Sequence, residues 1–278
     1  MLARDGYRYK NNDEITDDNT FGIDVNSKHN MFALSTGEFI PHDEDLIAEL
    51  EDELLKIDTK QKNYDARFKE GEEHDAFKVS RKDRKRIEAI TLKLNESNKR
   101  RIAAMCKDLA ERGFKHIVME NLTGFRGSRL NAEDKKGFNL GRLHLRIGLS
   151  SLKDDVEHIS AHYGLGFSLI QPEYTSKMCP ECGGIDDRNR QTQEDFKCVD
   201  CLHTDNADHN SAINIKFRLT STVLRGYLLE AGDSGYRCFQ PKSLFRWQVR
   251  KCLEKCRCDG PFKRAIGNHK RLTMSKFA

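Results

Sequence analysis

Apolar and polar residues alternate through the stretch TFGIDVNSKHNMFALSTGEFI, residues 20 to 40. A period of two sends successive side chains to opposite faces and predicts half-buried strands. Three are expected: Phe21 to Val25, Met31 to Leu34, and Glu38 to Ile40. Turn formers at Asn26 to Asn30 and Ser35 to Gly37 join them. Past Pro41 the period lengthens, and Leu46, Ile47, Leu50, Leu54 and Ile57 mark one face of a helix with acids opposite. A longer helix is predicted from Ser80 to Arg112, with the stripe Ile87, Ile90, Leu94, Ile102, Met105 and Leu109 and a stop at Gly113. Cys106 on this helix reads as packing. Ile117, Val118 and Met119 predict a buried strand that ends at Glu120. Leu143, Ile147, Leu152, Val156 and Ile159 place a helix over Leu140 to Tyr163. LGFSLIQPEY reads as another strand; a cysteine-rich insert follows, and DHNSAINIKFRL resumes as a helix. Strands, helices, strand, helix, strand, insert, helix is the order of an α/β layered fold.

Charge changes this picture at one end. The net charge of +4 hides an asymmetry: from Lys216 onward there are 15 Lys/Arg against 4 Asp/Glu, a balance of +11, which leaves −7 for residues 1–215. A basic tail on an acidic body suggests a polyanionic partner, most often nucleic acid; the alternative is a solvated tail. The long helix also carries SRKDRKR and NKRR, which fit an ordinary solvated face or a ridge that meets phosphates. No apolar run approaches the roughly 20 residues needed to cross a bilayer. The opening MLARDGYRYKNNDEITDD is polar, unlike a signal peptide. The expectation is an intracellular chain with no membrane partner, whose nine cysteines bind metal or stay free and do not form a disulfide framework.

Cys179-x2-Cys182 and Cys198-x2-Cys201, 15 residues apart, have the spacing of a four-cysteine zinc ribbon. Two such turns bring four soft thiolates into a tetrahedron, and a filled site of this kind is structural because no position stays open for water. Gly183 and Gly184 suit the first turn, whereas Leu202 stands where a glycine would ease the second. Cys238, Cys252, Cys256 and Cys258 are less regular; they read as free thiols, the alternative being a second metal site built from three of them with His269.

Three acids have conspicuous places. Asp24 ends an apolar strand, Glu120 ends another, and Asp208 opens a helix directly after the cysteines. A carboxylate at a buried strand end is costly unless something offsets its desolvation, and a metal ion is the usual partner. Taken singly, Asp24 also fits a turn residue, Glu120 a surface strand end, and Asp208 a helix N-cap.

The strings GID before a hairpin, VMENL, YTSKMCPECGG, CVDC and DHNSAINI resemble the TnpB (OrfB) family over Phe21 to Phe217. These are transposon-encoded RNA-guided nucleases, related to type V CRISPR effectors and Fanzor proteins. The resemblance implies an RNase H-like (RuvC) α/β domain with an inserted four-cysteine zinc ribbon, and a Mg2+-dependent DNA endonuclease activity. It assigns Asp24, Glu120 and Asp208 as the first, second and third catalytic acids, together holding Mg2+ or Mn2+. Cys179, Cys182, Cys198 and Cys201 become the zinc ligands. Hard carboxylate oxygens suit such ions, which activate water and stabilise a leaving oxygen at a phosphodiester. Asp205 reads as part of the loop, the alternative being an accessory acid.

The expected organisation is a polar tail over 1–20, a nuclease core over 21–172 and 205–218, a ribbon insert over 173–204, and a basic tail over 219–278. Family members carry an N-terminal region that grips guide RNA and reads a short DNA motif. Because Asp24 stands so early, the expected partners are DNA together with guide RNA or a partner chain supplying that region. Asn26 stands where the family usually has a glycine. The runner-up is a non-catalytic nucleic-acid-binding module that uses the ribbon and basic tail. A DNA-strand-transfer transposase comes third.

Overall fold

Strand β1 (Thr20–Val25) is the central strand of a five-stranded sheet ordered β3-β2-β1-β4-β5. On one side it pairs antiparallel with β2 (Asn30–Leu34), which pairs antiparallel with β3 (Phe39–Pro41). On the other it runs parallel to β4 (His116–Glu120), which runs parallel to β5 (Gly166–Ile170). The computed structural model describes residues 15–26, 30–68, 75–121, 149–192, 194–231 and 246–259.

The mixed α/β layering is the one the hydrophobic periods predict. Boundaries differ in places. β3 starts one residue later than expected. β5 is shorter than LGFSLIQPEY because Pro172 lacks an N–H for the ladder, and the chain turns there, with Thr175 N bonding to Pro172 O. The helix expected from Leu140 is described as α3 (Leu149–His162); its earlier part lies outside the described residues, as do Cys238 and His269.

The strand period of two divides the core. Phe21, Ile23, Ile117 and Met119 face helices α2 (Arg81–Glu111) and α3, packing on Ile102, Met105, Leu109, Leu152 and Val156. Val118 and Ile170 face the other way, against Ile215 and Leu219 of α4 (Ala207–Thr220). A Cβ placed on Gly22 would lie 2.2 Å from the carbonyl oxygen of Ala212, so only glycine lets α4 lie this close to β1.

Helix α1 (Glu44–Asp65) starts at Asp43, whose side chain accepts from Leu46 N, and α2 starts at Ser80, which accepts from Asp83 N. The two form a hairpin with its own core of Leu50, Leu54, Ile57, Ile87, Ile90 and Leu94. Gly113, at φ 91°, ends α2 in the left-handed region. Two further helices, α5 (Thr222–Glu230) and α6 (Arg246–Asp259), lie within the segment expected as a basic tail. Their Leu224, Leu228, Val249 and Leu253 pack on Met178 beside the first cysteine. Among the described residues no helix is long and apolar enough to cross a membrane.

Candidate functional site

Cys179, Cys182, Cys198 and Cys201 converge, with all four sulfurs within 4.8 Å of one another. Cys179 Sγ lies 3.6 Å from Cys201 Sγ, and Cys182 Sγ 3.6 Å from Cys198 Sγ. A tetrahedron with zinc–sulfur bonds of about 2.3 Å has edges of about 3.8 Å, so the donor set fits a soft cation such as zinc. Contacts among the thiols push Cys179 up and pull Cys198 down. Asn189 ties the two turns together: its amide donates to Lys177 O at 2.9 Å and Gly184 O at 3.2 Å, and its Oδ1 accepts from Val199 N at 2.9 Å. Leu202 takes φ 65° in the second turn. The four cysteines are the only such cluster among the described residues. Cys252 and Cys256 are instead buried in the apolar contact between α5 and α6, and Cys106 is buried in the main core.

The three acids come from separate elements. β1 and β4 run parallel with Ile23 opposite Met119, so Asp24 and Glu120 end neighbouring strands side by side. Close packing at Gly22 fixes α4 over the same face, and its first turn brings in Asp208. Asp208 is not the N-cap of this helix. That role belongs to Asn206, whose Oδ1 accepts from Asp208 N at 3.0 Å and His209 N at 3.2 Å. Asp205 lies on strand β7 (Thr204–Asn206), paired antiparallel with β6 (Asp195–Lys197), and bonds His209 Nδ1 at 2.9 Å.

Asp24 is 8% exposed and Asp208 6% exposed. Burial, and then the charges of Glu120 and Asp208, push Asp24 well above the usual carboxylate range. Burial likewise raises Asp208, and it raises Glu120 to about 7. Arg190 opposes the shift at all three. It reaches in from the ribbon, and its Nη2 donates to Asp208 Oδ1 at 3.2 Å. Asn26 donates to the other oxygen of Asp208, and the Thr175 hydroxyl to Glu120. Asp208 and Glu120 thus each accept from a neighbouring side chain, and the three carboxylates do not all bring an oxygen within 4.8 Å of one another.

Sequence reasoning missed Arg190, Thr175 and the use of Asn26 as a donor. Asn26 had a signal, a polar side chain two residues beyond a buried acid. Arg190 had none, because nothing in RNRQTQ says that one arginine folds back toward a distant strand.

A family model described as Cas12f1-like, TNB domain, matches residues 150–215, from α3 through the ribbon into α4. The chain is 42% identical over 64 residues to the CRISPR-associated endodeoxyribonuclease Cas12f1 of Sulfoacidibacillus thermotolerans, covering 23% of this chain and 15% of that protein. It is 27% identical over 130 residues to a TnpB-like protein of Aquifex aeolicus, covering 45% and 40%. A TnpB-like protein of Methanocaldococcus jannaschii matches at 36% over 85 residues, covering 31% and 28%. The chain thus spans well under half of these relatives. Among solved structures, a Cas12f1–sgRNA–target DNA complex aligns at 21% identity and TM-score 0.41, over 70% of this chain and 49% of that one.

Proposed function

We propose that this chain, a relative of the TnpB-like proteins and Cas12f1 and so of the type V effectors, is a DNA endonuclease dependent on Mg2+ or Mn2+. The observation that carries the reading is three acids on β1, β4 and α4, Asp24 and Asp208 buried and Glu120 partly buried, each raised by desolvation and set at one face of the sheet. The order β3-β2-β1-β4-β5, antiparallel on one side of β1 and parallel on the other, supports an RNase H-like (RuvC) core. The domain reading assigns residues 21–172 and 205–218 to that core, 173–204 to a zinc ribbon, and 219–278 to a basic extension. DNA is the substrate, and guide RNA or a partner chain directs it.

The donor set fits hard divalent cations: these are oxygen ligands whose ionisation burial opposes, so added positive charge stabilises them. Such ions supply an activated water and charge for the leaving oxygen at a phosphodiester. Asp24, Glu120 and Asp208 are the residues that would hold them. Asp24 lies near enough to the other two for the charges of Glu120 and Asp208 to add to its raised range. Arg190 balances the acids in the resting protein and meets the phosphate when substrate arrives. The ribbon, built on a closed four-cysteine site, carries Arg190 and takes no part in bond breaking.

The Arg190–Asp208 ion pair favours a second reading, in which the core is charge-balanced without added ions and the chain only binds nucleic acid. One experiment separates the two. The zinc-loaded protein is incubated with labelled single-stranded DNA and Mg2+ or Mn2+, beside Asp24→Ala, Glu120→Ala and Asp208→Ala. The nuclease reading expects cleavage by the wild type and its loss in each folded variant. Salt-sensitive binding without cleavage supports the second reading, and cleavage that survives all three substitutions overturns the assignment of the acids.

A further inference from the structure

Helix α4 carries three buried donors at four-residue spacing, Asn210, Asn214 and Arg218. Residues four apart share one helix face, and this face meets the connector from Gln171 to Met178 that leads from β5 into the ribbon. Asn210 Nδ2 donates to Met178 O at 3.1 Å. Asn214 Nδ2 lies 2.8 Å from Thr175 O and 2.7 Å from Met178 O. Arg218 donates to Gln171 O and, at 2.5 Å, to Glu173 O. Asn210 and Asn214 are fully buried and Arg218 is 2% exposed.

The connector lies beyond the strand ladder, so its buried carbonyls need donors from elsewhere. The ladder on α4 supplies them. Tyr174, in the middle of the gripped stretch, sits at φ 65°, a backbone state that persists only when its surroundings hold it. The next residue, Thr175, sets its hydroxyl between Glu120 and, at 2.9 Å, the carbonyl oxygen of Pro172. Nothing in the chemistry proposed above requires these bonds, yet they converge on its middle acid.

We propose that Asn210, Asn214 and Arg218 are positioning residues that lock the connector so that Thr175 holds the Glu120 carboxylate in its metal-binding orientation. This rests on the reading of the three acids as ligands for divalent cations. Partners behind a metal ligand change affinity by roughly tenfold or more when removed.

The test is Mn2+ binding by the zinc-loaded full chain, followed by electron paramagnetic resonance at fixed pH. Thr175→Val is expected to weaken binding roughly tenfold, with zinc content and melting temperature unchanged, and Thr175→Ser to restore it. Asn214→Ala is expected to weaken binding in the same way, and the double variant with Thr175→Val to bind no worse than the weaker single. If Asn214→Ala fails to fold, Asn210→Ala, which removes one bond to Met178 O, takes its place in the series. Wild-type affinity in Thr175→Val overturns the inference alone, as does full additivity in the double variant. A wild type that binds no Mn2+, or binding that survives Asp24→Ala and Asp208→Ala, removes the metal reading and this inference with it.

Discussion

Leu202 holds a backbone angle of φ 65°, where its Cβ crowds the following carbonyl, while its side chain is 68% exposed. The side chain therefore contributes little packing to set against the strain. Leu202→Gly is expected to stabilise the ribbon by about 1 kcal/mol, read as a later midpoint in chemical denaturation of the zinc-loaded protein. An earlier midpoint would mean that the leucine covers apolar surface after all. The need for glycine here was visible in the sequence, because a knuckle turn of known spacing has known backbone demands. Arg190 is the opposite case. Its importance comes from the carboxylates it faces, and those lie on three elements far apart in the chain.

Among the elements, α2 follows its pattern well at both ends. Ser80 caps it and Gly113 stops it, as the residue types dictate. Its middle departs from the pattern at Asn98, which occupies a core position between Leu94 and Ile102 and is 1% exposed. Neither amide atom of Asn98 has a hydrogen-bond partner among the described residues. A buried polar group without partners loses its hydration for nothing in return. Asn98→Leu is expected to stabilise the protein by about 1–3 kcal/mol, measured by urea unfolding; a destabilised variant would show that the site lacks room for the extra branching. The basic runs on the exposed side of α2 remain compatible with either of their two readings. Some of their cations are engaged, Arg86 pairing with Glu53 at 3.2 Å and Arg101 lying 3.9 Å from Asp43, while Arg81, Lys82 and Lys85 are exposed.

At the scale of the molecule the ribbon is held from three sides. The α4 ladder grips its entry, Asn206 caps the helix at its exit, and α5 with α6 packs against its flank. Arg257 of α6 adds an ion pair at 2.9 Å to Asp200, between the last two cysteines. The charge count alone described this C-terminal segment as a basic tail; its apolar positions give it a docking face as well. Zinc removal should therefore loosen more than the ribbon. Hydrogen exchange after chelation is expected to show lost protection over 176–206 and over α6 together, while β1, β4 and β5 stay protected. Protection retained in α6 would mean that its packing on α5 is sufficient without the ribbon.

Local rules are enough for part of this. Strand and helix periods, caps, turn glycines and the paired Cys-x2-Cys spacing each depend on residues near one another, so the α/β order and the four-cysteine cluster were legible in the sequence. The resemblance marked Asp24, Glu120 and Asp208, but their proximity needed the parallel register of β1 with β4 and the close approach of α4 at Gly22. The period-four donors Asn210, Asn214 and Arg218 looked like the polar side of a helix until the connector lay against them. Burial, electrostatic shift and hydrogen-bond partnership are properties of a packed neighbourhood, and only the tertiary structure decides which neighbours a residue has.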